Sequence, residues 1–284
     1  MLCESRMISF MDFRSAPSSP SDAQAERLRR FGITQSVDIH CHCLPGVDDG
    51  PATLADSLDL CRALVRDGIT NVIATPHQLG RYEGQNAPAQ VRAAVSQLQA
   101  SLSESNIPLS IAPGGDVRVD HRLTSMLNDD EICTLADTAR YLLLELPHET
   151  YIELRNLVSA FRENGRTIIV SHPERHMVLS RKPDAILPWL ENGAVLQVTA
   201  GSLLGHFGAT AESVAWKWLE QGQVQLVATD AHNISSRPPT LTLAINRIAQ
   251  RLGESVAKCV CVENPRRVLH GEILLPCERR SAKK

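Results

Sequence analysis

Histidine and carboxylate residues recur in this sequence at one kind of position, the end of a short run of β-branched and other apolar residues. His40 and His42 end the first such run, and Asp230 and His232 follow the last. Side chains two residues apart lie on the same face of a strand, so each pair would present two donor groups together. Because imidazole and carboxylate are ligands for Zn²⁺, Mn²⁺ and iron, the spacing predicts a metal site.

Most of the other apolar runs end in the same types of residue. The groups at the seven ends are Asp38, His40 and His42 with Asp48 and Asp49; His77; Asp116; Glu145; His172 with Glu174 and Arg175; Thr199 to Ser202; and Asp230 with His232. A single His-x-His or Asp-x-His pair is weak evidence. Six ends of seven that carry His or carboxylate favour a metal cluster, because buried polar groups without partners are costly.

The seven apolar runs alternate with helical segments that end near glycines. The runs are SVDIH, NVIAT, IPLSIAP, YLLLEL, TIIVS, AVLQVT and QLVAT, and the glycines are Gly68, Gly165, Gly193, Gly222 and Gly253. This alternation predicts an α/β fold with a parallel sheet. No run is followed by a Gly-x-Gly-x-x-Gly or P-loop motif, so a nucleotide-binding sheet is disfavoured. A closed or nearly closed barrel is expected, with its site at the carboxyl ends of the strands.

The first helix is predicted from a capping signal and an apolar stripe. Thr53 and Asp56 fit a capping pair at its start. Residues with helical spacing are expected to face the core. They are Leu54, Leu58, Cys61 and Val65.

The length of the chain suits one large α/β domain or two small ones. The chain has 284 residues, is 43% hydrophobic and has a net charge of −3, which disfavours nucleic acid as a partner. No run approaches the roughly 18 apolar residues of a membrane span. We expect a cytoplasmic protein without a secretory signal, with its eight cysteines as thiols. The sequence predicts a flexible, Ser- and Pro-rich extension over residues 1–34, a folded domain over 35–271 and a basic tail over 272–284.

The segments at the strand ends resemble those of the PHP (polymerase and histidinol phosphatase) superfamily. They are DIHCHCLPGVDDG, ATPH, PGGDVR, LLLELP, SHPER, TAGSLLGHFG and ATDAHN, and the resemblance extends from Val37 to His270. HCHCLPGVDDG and TAGSLLGHFG are similar, more narrowly, to bacterial tyrosine phosphatases found beside tyrosine autokinases in capsule and exopolysaccharide systems. The resemblance implies a single-domain, distorted (β/α)7 barrel. It also implies up to three clustered divalent ions, Mn²⁺ foremost, with Co²⁺, Zn²⁺ or iron as alternatives.

Carried over residue by residue, the resemblance implies three metal sites that share ligands. The first would use His40, His42, Asp116 and Asp230, the second Asp116, Glu145 and His172, and the third Asp49, His77 and His232. Arg175 and Arg237 resemble the family's phosphate-binding arginines, and Ser202 is expected to contact substrate. Asp116 departs from the family pattern, which has Glu there, so a weaker second ion is expected. Gly114 and Gly115 just before it are expected to let the backbone move inward, because glycine adopts conformations closed to other residues.

A Cys-x5-Arg pair offers a different phosphatase mechanism. Cys261 and Arg267 have this spacing, but the intervening VENPR has no Gly for an anion-binding loop, and Pro265 has no N–H. Cys259 and Cys261 lie in a β-like run. Asn264 followed by Pro265 is typical of a helix start. We therefore expect no catalytic role for Cys261.

The resemblance implies a metal-dependent protein-tyrosine phosphatase in which a hydroxide bridging the metal ions attacks phosphorus. Its partner would be a tyrosine-phosphorylated protein, in particular a tyrosine autokinase that controls capsule or exopolysaccharide synthesis. Two alternatives stay open. One is a PHP phosphoesterase acting on a small phosphomonoester such as histidinol phosphate or a nucleotide, and the other is a non-catalytic partner of a polysaccharide kinase. The sequence leaves the oligomeric state undetermined.

Overall fold

All seven predicted strands are present in the structure, a computed structural model that describes residues 36–277. The strands are β1 (Val37–Cys41), β2 (Asn71–Ala74), β3 (His77–Gln78), β4 (Ser110–Pro113), β5 (Asp116–Arg118), β6 (Tyr141–Glu145), β7 (Thr167–Ser171), β8 (Val195–Thr199) and β9 (Val224–Ala228). The short strands β3 and β5 were not predicted. The predicted extension, residues 1–34, and the last seven residues of the predicted tail lie outside the described residues.

The strands form two sheets in which every pair is parallel. One sheet has the order β1-β2-β4, and the other β3-β5-β6-β7-β8-β9. The chain passes from the first sheet to the second twice, through Thr75-Pro76 and through Gly114-Gly115. A parallel bridge joins Cys41, at the end of β1, to Ala231, just beyond β9. The protein therefore has a mixed α/β fold with parallel sheets, as predicted.

Helices connect the strands. They are α1 (Leu54–Arg66), α2 (Pro88–Glu104), α3 (Leu123–Asn128), α4 (Arg155–Glu163), α5 (Leu187–Glu191), α6 (Ala200–Leu203), α7 (Ala209–Glu220), α8 (Leu241–Leu252), α9 (Glu254–Lys258) and α10 (Asn264–Leu269), with 3-10 turns at Leu135–Asp137, Pro173–Arg175 and Pro183–Ile186. Gly68 and Gly222, predicted to end helices, have φ values of 91° and 71°. Glycine adopts this left-handed conformation at low cost, which is why these helices stop there.

The start of α1 confirms the predicted cap, but its buried face differs from the prediction. The amide of Asp56 donates to Oγ1 of Thr53 at 3.2 Å. Leu54 is 45% exposed, however. The buried residues are Ser57, Leu60, Cys61 and Leu64. Ser57 faces inward because its hydroxyl donates to the carbonyl of Cys43 at 2.7 Å, a bond that an apolar pattern does not reveal.

The segment before α10 is also different from its prediction. Residues Cys259–Glu263 form a π-helical turn instead of a β-like run, and Asn264 continues it in helical conformation instead of capping a new helix. Cys259 forms a disulfide with Cys277, which contradicts the expectation of eight thiols. The side chain of Asn264 accepts from the amide of Leu275 at 2.7 Å and donates to the carbonyl of Gln225 at 3.1 Å. The disulfide and these hydrogen bonds attach the segment that contains Leu275 and Cys277 to the folded domain.

The apolar side chains form two buried clusters. The larger packs the helices against the strands, and the smaller groups Val37, Ile39, Tyr141 and Val268 with neighbours from β2, β7 and β9. Among the described helices, none is both long and apolar enough to cross a membrane.

Candidate metal centre

The structure brings all nine predicted metal ligands together at the carboxyl ends of the strands. Four overlapping groups have ligand atoms within 4.8 Å of one another. They are His42, Asp49, His77 and His232; His40, Asp116 and His172; His40, His42 and Asp230; and His77, Asp116 and Glu145. The grouping differs from the expected one in two main respects: His77 joins Asp116 and Glu145 as well as Asp49 and His232, and His172 lies with His40 and Asp116 instead of with Glu145.

Strand β1 places His40 and His42 beside Asp230. Oδ1 of Asp230 lies 3.2 Å from Nε2 of His40 and 3.4 Å from Nε2 of His42. Asp230 has a φ of 53°, a left-handed conformation that is costly for a residue other than Gly. Asp38, which faces the same way as the two histidines, accepts from the amide of Thr229 at 3.0 Å. It therefore holds the chain that carries Asp230 and is not a member of the cluster.

The loop after β1, the start of β3 and the segment after β9 form a second side of the cluster. Oδ1 of Asp49 lies 3.4 Å from Nε2 of His77 and 3.3 Å from Nε2 of His232. The ring of His232 stacks on that of His42 with centroids 3.8 Å apart. Three imidazoles and one carboxylate thus face a common point.

Asp116 lies at the centre of the remaining groups. Its Oδ2 is 3.4 Å from Nδ1 of His77, 3.6 Å from Nε2 of His40 and 4.0 Å from Nε2 of His172. Glu145 approaches the same Nδ1 of His77 at 3.7 Å. Because Asp116 pairs with His77 across β3 and β5, the short strands that the sequence did not predict set this arrangement.

Three of the imidazoles donate one ring nitrogen outward and present the other to the cluster. Nδ1 of His40 contacts Oε1 of Gln197 at 2.8 Å. Nδ1 of His42 contacts Asp48 at 2.7 Å, and Nδ1 of His232 contacts the carbonyl of Asp230 at 3.0 Å. Since each acceptor is an oxygen, each Nδ1 carries a proton, and in the neutral ring Nε2 is the nitrogen that can bind a cation. This is the usual arrangement of metal-bound histidine.

Sequence reasoning missed the role of two of these acceptors. Gln197 is a polar residue in the otherwise apolar run AVLQVT, which was a signal for an inward-facing partner. Asp48 was recognised at a strand end without a role. Its Oδ2 accepts from His42 and also from the amide of His77, at 3.1 Å.

The electrostatic environment divides the histidines. Burial lowers the pKa of His40 and of His172, and burial together with His42 lowers the pKa of His232 to about 4. These imidazoles are therefore neutral near pH 7 and able to bind a cation. Burial also acts on His42, but Asp48 and Asp230 outweigh it and raise its pKa to about 9. A cation would displace the proton of His42.

The pKa values of two carboxylates in the cluster are also shifted in opposite directions. Burial opposes ionisation of Asp116, but His40 and His77 outweigh it and hold the pKa of Asp116 below its usual value. Burial, followed by repulsion from Asp116, raises the pKa of Glu145 to about 7. A cation between Asp116 and Glu145 would relieve that repulsion.

The donor atoms themselves indicate that cations fit here. Both carboxylate oxygens of Asp116 and Oδ1 of Asp230 are buried and have no hydrogen-bond partner within residues 36–277. Buried carboxylate oxygens are normally paired, because leaving one unpaired costs about 1–3 kcal/mol or more. These oxygens and the Nε2 atoms that face them fit divalent metal ions.

Arg175 and Arg237 both lie at the cluster, as expected for phosphate-binding residues. Each donates through Nη2 to Oδ2 of Asp230, and Nη1 of Arg237 lies 2.9 Å from Nε2 of His232. Glu174 is buried beside Arg175 and accepts from the amide of Thr199 at 2.9 Å. It therefore fixes the turn that carries Arg175.

Ser202 is different from the prediction. It is fully buried, and its hydroxyl donates to Glu174 at 2.6 Å. It does not line the cavity over the cluster. Its position after β8 suggested a substrate contact, but the start of α6 turns the hydroxyl inward to support the Arg175 turn.

A cavity of about 550 Å³ opens over the cluster. Its lining includes Asp49, His77, Tyr82, Arg118, Glu145, His148, His172, Arg175, Phe207 and Arg237. Arg118 is an addition to the predicted site: it lies 3.1 Å from Oε2 of Glu145 and donates to the carbonyl of Leu146 at 2.7 Å. Its signal was its place in PGGDVR, two residues beyond Asp116.

Cys261 is not placed to act as a nucleophile. It is fully buried in the π-helical turn, and burial raises the pKa of its thiol well above the usual value. It does not line the cavity over the cluster. The Cys-x5-Arg spacing is thus unrelated to the site.

Known proteins are similar to this chain in sequence and fold. A family model described as capsular polysaccharide synthesis, CpsB/CapC, matches residues 36–270. The chain is 38% identical to tyrosine-protein phosphatase YwqE of Bacillus subtilis, over 71% of this chain and 79% of that protein. It is 28% identical to tyrosine-protein phosphatase CpsB of Streptococcus pneumoniae, over 84% and 100%.

A solved structure is also similar to this chain. Crystal structures of YwqE from Bacillus subtilis and CpsB from Streptococcus pneumoniae are described as unique metal-dependent tyrosine phosphatases, and a chain among them matches with a TM-score of 0.81. The match is 32% identical and covers 86% of this chain and 99% of the other. The protein belongs to the CpsB/CapC family of capsular polysaccharide synthesis.

Proposed function

We propose that this protein is a metal-dependent protein-tyrosine phosphatase. The observation that carries the proposal is the set of three histidines whose Nδ1 atoms bond outward. Nε2 of His40 and of His42 faces unpaired oxygens of Asp116 and Asp230, and Nε2 of His232 faces Asp49. Two arginines lie at the same point. The relatives named above are tyrosine-protein phosphatases, and the site offers what such a reaction needs.

The metal ions would be held by the nine clustered residues. By the family pattern, His40, His42, Asp116 and Asp230 would hold the first ion, Asp116, Glu145 and His172 the second, and Asp49, His77 and His232 the third. Each of these residues lies in at least one of the four groups described above. Bound divalent ions supply Lewis acidity, which polarises phosphoryl oxygens and lowers the pKa of water toward neutrality. Imidazole and carboxylate without thiolate suit Mn²⁺ first, then Co²⁺, Zn²⁺ or iron.

Arg175 and Arg237 bind the phosphoryl group. A guanidinium can donate two parallel hydrogen bonds to phosphate oxygens, and it stabilises the charge that spreads over them in the transition state. Both arginines line the cavity, so they are accessible to substrate. Hydrolysis then needs no phosphoenzyme, and a phenolate leaving group departs without a strong general acid.

The substrate is a tyrosine-phosphorylated protein. We infer that it is a bacterial tyrosine autokinase of capsule or exopolysaccharide synthesis and that the reaction is cytoplasmic. The family's description as capsular polysaccharide synthesis supports the pathway.

We also propose that the two sheets together form one distorted (β/α)7 barrel, within a single domain over residues 35–271. Five strands of the ring are single: β1, β6, β7, β8 and β9. The pairs β2–β3 and β4–β5 would each act as one broken strand. The Cys41–Ala231 bridge would join the ring between β9 and β1. The match of the family model to residues 36–270 supports the domain bounds.

The test is turnover of a phosphotyrosyl peptide after chelation and re-addition of single metals. We expect activity to disappear with chelator and to return best with Mn²⁺. A panel of small phosphomonoesters, including histidinol phosphate and a nucleotide, distinguishes the small-molecule alternative. Full activity in excess chelator, after time for metal release, would exclude the metal mechanism. A protein that binds metal but hydrolyses no phosphoester would be a non-catalytic partner.

A further inference from the structure

Two aromatic side chains border the cavity in addition to the charged residues. Tyr82 lies in the loop after β3, and Phe207 lies in the loop between α6 and α7. Both are partly exposed. The mechanism proposed above uses neither of them.

Each ring is held in direct contact with a residue of the reaction centre. The ring of Tyr82 stacks on that of His77, with centroids 5.5 Å apart and planes inclined by 15°. The ring of Phe207 lies 4.5 Å from the guanidinium carbon of Arg175. The Tyr82 ring therefore adjoins the metal cluster, and the Phe207 ring adjoins the phosphate-binding Arg175.

The loops are built to keep both rings in place. The amide of Tyr82 donates to the carbonyl of Leu79 at 3.0 Å, and the guanidinium of Arg81 lies 4.7 Å from the centre of the Tyr82 ring. A Cβ atom on Gly201 would lie only 2.9 Å from Cε2 of Phe207. A glycine at position 201 is thus required for the Phe207 ring to lie where it does.

We propose that Tyr82 and Phe207 form an aromatic entrance that contacts the phenyl ring of phosphotyrosine and selects it over phosphoserine and phosphothreonine. The inference rests on the proposed phosphatase function and names what sets its specificity. A phosphate bound at Arg175 leaves the tyrosyl ring in the mouth of the cavity, where flat apolar walls can pack on it. A seryl phosphate is shorter by a whole ring, so its peptide backbone would have to enter the mouth.

The experiment compares Tyr82→Leu, Phe207→Leu and the double variant, all loaded with Mn²⁺. Leu keeps an apolar side chain and removes the flat ring. The readouts are kcat/KM for one peptide sequence carrying phosphotyrosine or phosphoserine, and the dissociation constant of a peptide with phosphonomethylphenylalanine. The inhibition constant of inorganic phosphate reports on the phosphate site alone.

We expect each single variant to lose about three- to tenfold in kcat/KM for phosphotyrosine and in affinity for the phosphonate peptide. The ratio of phosphotyrosine to phosphoserine turnover should fall by a similar factor, and further in the double variant. Inhibition by inorganic phosphate should change less than twofold. Tyr82→Phe and Phe207→Tyr, which restore a ring, should recover most of the selectivity.

Tyr151→Leu is the matched control, because Tyr151 stacks on Trp189 outside the cavity lining. Unchanged selectivity in both Leu variants would overturn the inference. So would an equal loss for phosphotyrosine and inorganic phosphate, which would mean that the rings only position the cluster or Arg175. A wild-type protein that hydrolyses both phosphopeptides equally would keep its phosphatase function but not the entrance. A wild-type protein inactive on every phosphoester would contradict the proposed function and the inference with it.

Discussion

The Nδ1 atom of His42 donates a hydrogen bond to Asp48 at 2.7 Å, and the same carboxylate oxygen accepts the amide of His77 at 3.1 Å. One side chain thus orients one candidate ligand and fixes the backbone of another. Partners of this kind commonly contribute ten- to hundredfold to metal affinity.

We therefore expect Asp48→Asn to lower metal affinity by about ten- to hundredfold while the protein stays folded. An amide cannot supply the charge that holds the His42 ring. The measurement is a titration of the metal-free protein with Mn²⁺, followed by calorimetry. Asp59→Asn, an exposed carboxylate paired with Arg62, is the control. Equal affinities for all three proteins would mean that Asp48 has no part in the centre.

The second prediction separates the metal mechanism from a cysteine mechanism. His40→Ala and Asp230→Ala should lose bound metal and measurable turnover, because each removes a donor from the buried cluster. Cys261→Ser should keep turnover, with a loss of about 1–3 kcal/mol in stability from burying an unpaired hydroxyl. Turnover and thermal unfolding are measured for each variant. A folded but inactive Cys261→Ser, alongside active metal variants, would reverse the assignment.

Much of the strand framework and the clustering of polar groups could be predicted from the sequence. The strands are short β-branched runs, and the groups at their ends meet because parallel strands point the same way. The breaks within two strands could not be predicted, because they depend on contacts between segments of the chain that are distant in sequence. Pro76 has no N–H for the ladder, and its carbonyl accepts the amide of Asp116 at 3.1 Å.

The errors have a common physical origin in burial on all sides. In the segment Cys259–Glu263, Cys and Val alternate as they could in a strand. The first four residues are nevertheless buried in a π-helical turn. A buried element has no polar face, so periodicity does not distinguish the two forms. Ser202 was assigned a substrate contact from its position after β8, and Ser57 was not expected to face inward. Both are buried because a single hydrogen bond satisfies the hydroxyl.

A pH dependence of stability is expected from Asp67, away from the cluster. It follows α1, and its carboxylate accepts the amides of Leu241 at 2.6 Å and Thr242 at 3.3 Å at the start of α8. Burial raises its pKa from 3.8 to about 7, although these bonds oppose the change. The folded state therefore holds the proton more tightly than the unfolded state. This contribution to stability is complete below about pH 4 and is lost as the pH rises to about 7.

Asp67→Asn removes this titration. The difference in unfolding free energy, variant minus wild type, should rise by about 2–3 kcal/mol between pH 5 and pH 8. Urea unfolding of the two proteins at both pH values measures it, with Asp59→Asn as the exposed control. A difference that stays constant with pH would show that Asp67 keeps an ordinary pKa in the folded protein.

The final prediction concerns Asp116, which replaces the Glu of the family pattern. The chain reaches the cluster here through Gly114 and Gly115, and added Cβ atoms would lie 2.6 Å from Cγ2 of Ile73 and 2.3 Å from Oε1 of Gln78. The sequence suggested that these glycines provide backbone freedom. In the structure neither has a positive φ, and their role is close packing that brings β5 inward. This approach places the shorter carboxylate among His40, His77 and His172.

Asp116 should still bind metal, but with a second ion that is lost more readily than the first. Asp116→Glu should then keep or raise metal content per chain, because the longer side chain reaches both ions. Asp116→Ala and the isosteric Asp116→Asn should lose metal and turnover together, since each removes a charge from the most cationic point of the site. Elemental analysis after gel filtration and phosphotyrosyl turnover are measured for all four proteins. An Asp116→Ala protein with full metal content and a normal rate would show that this residue does not bridge the groups that it contacts.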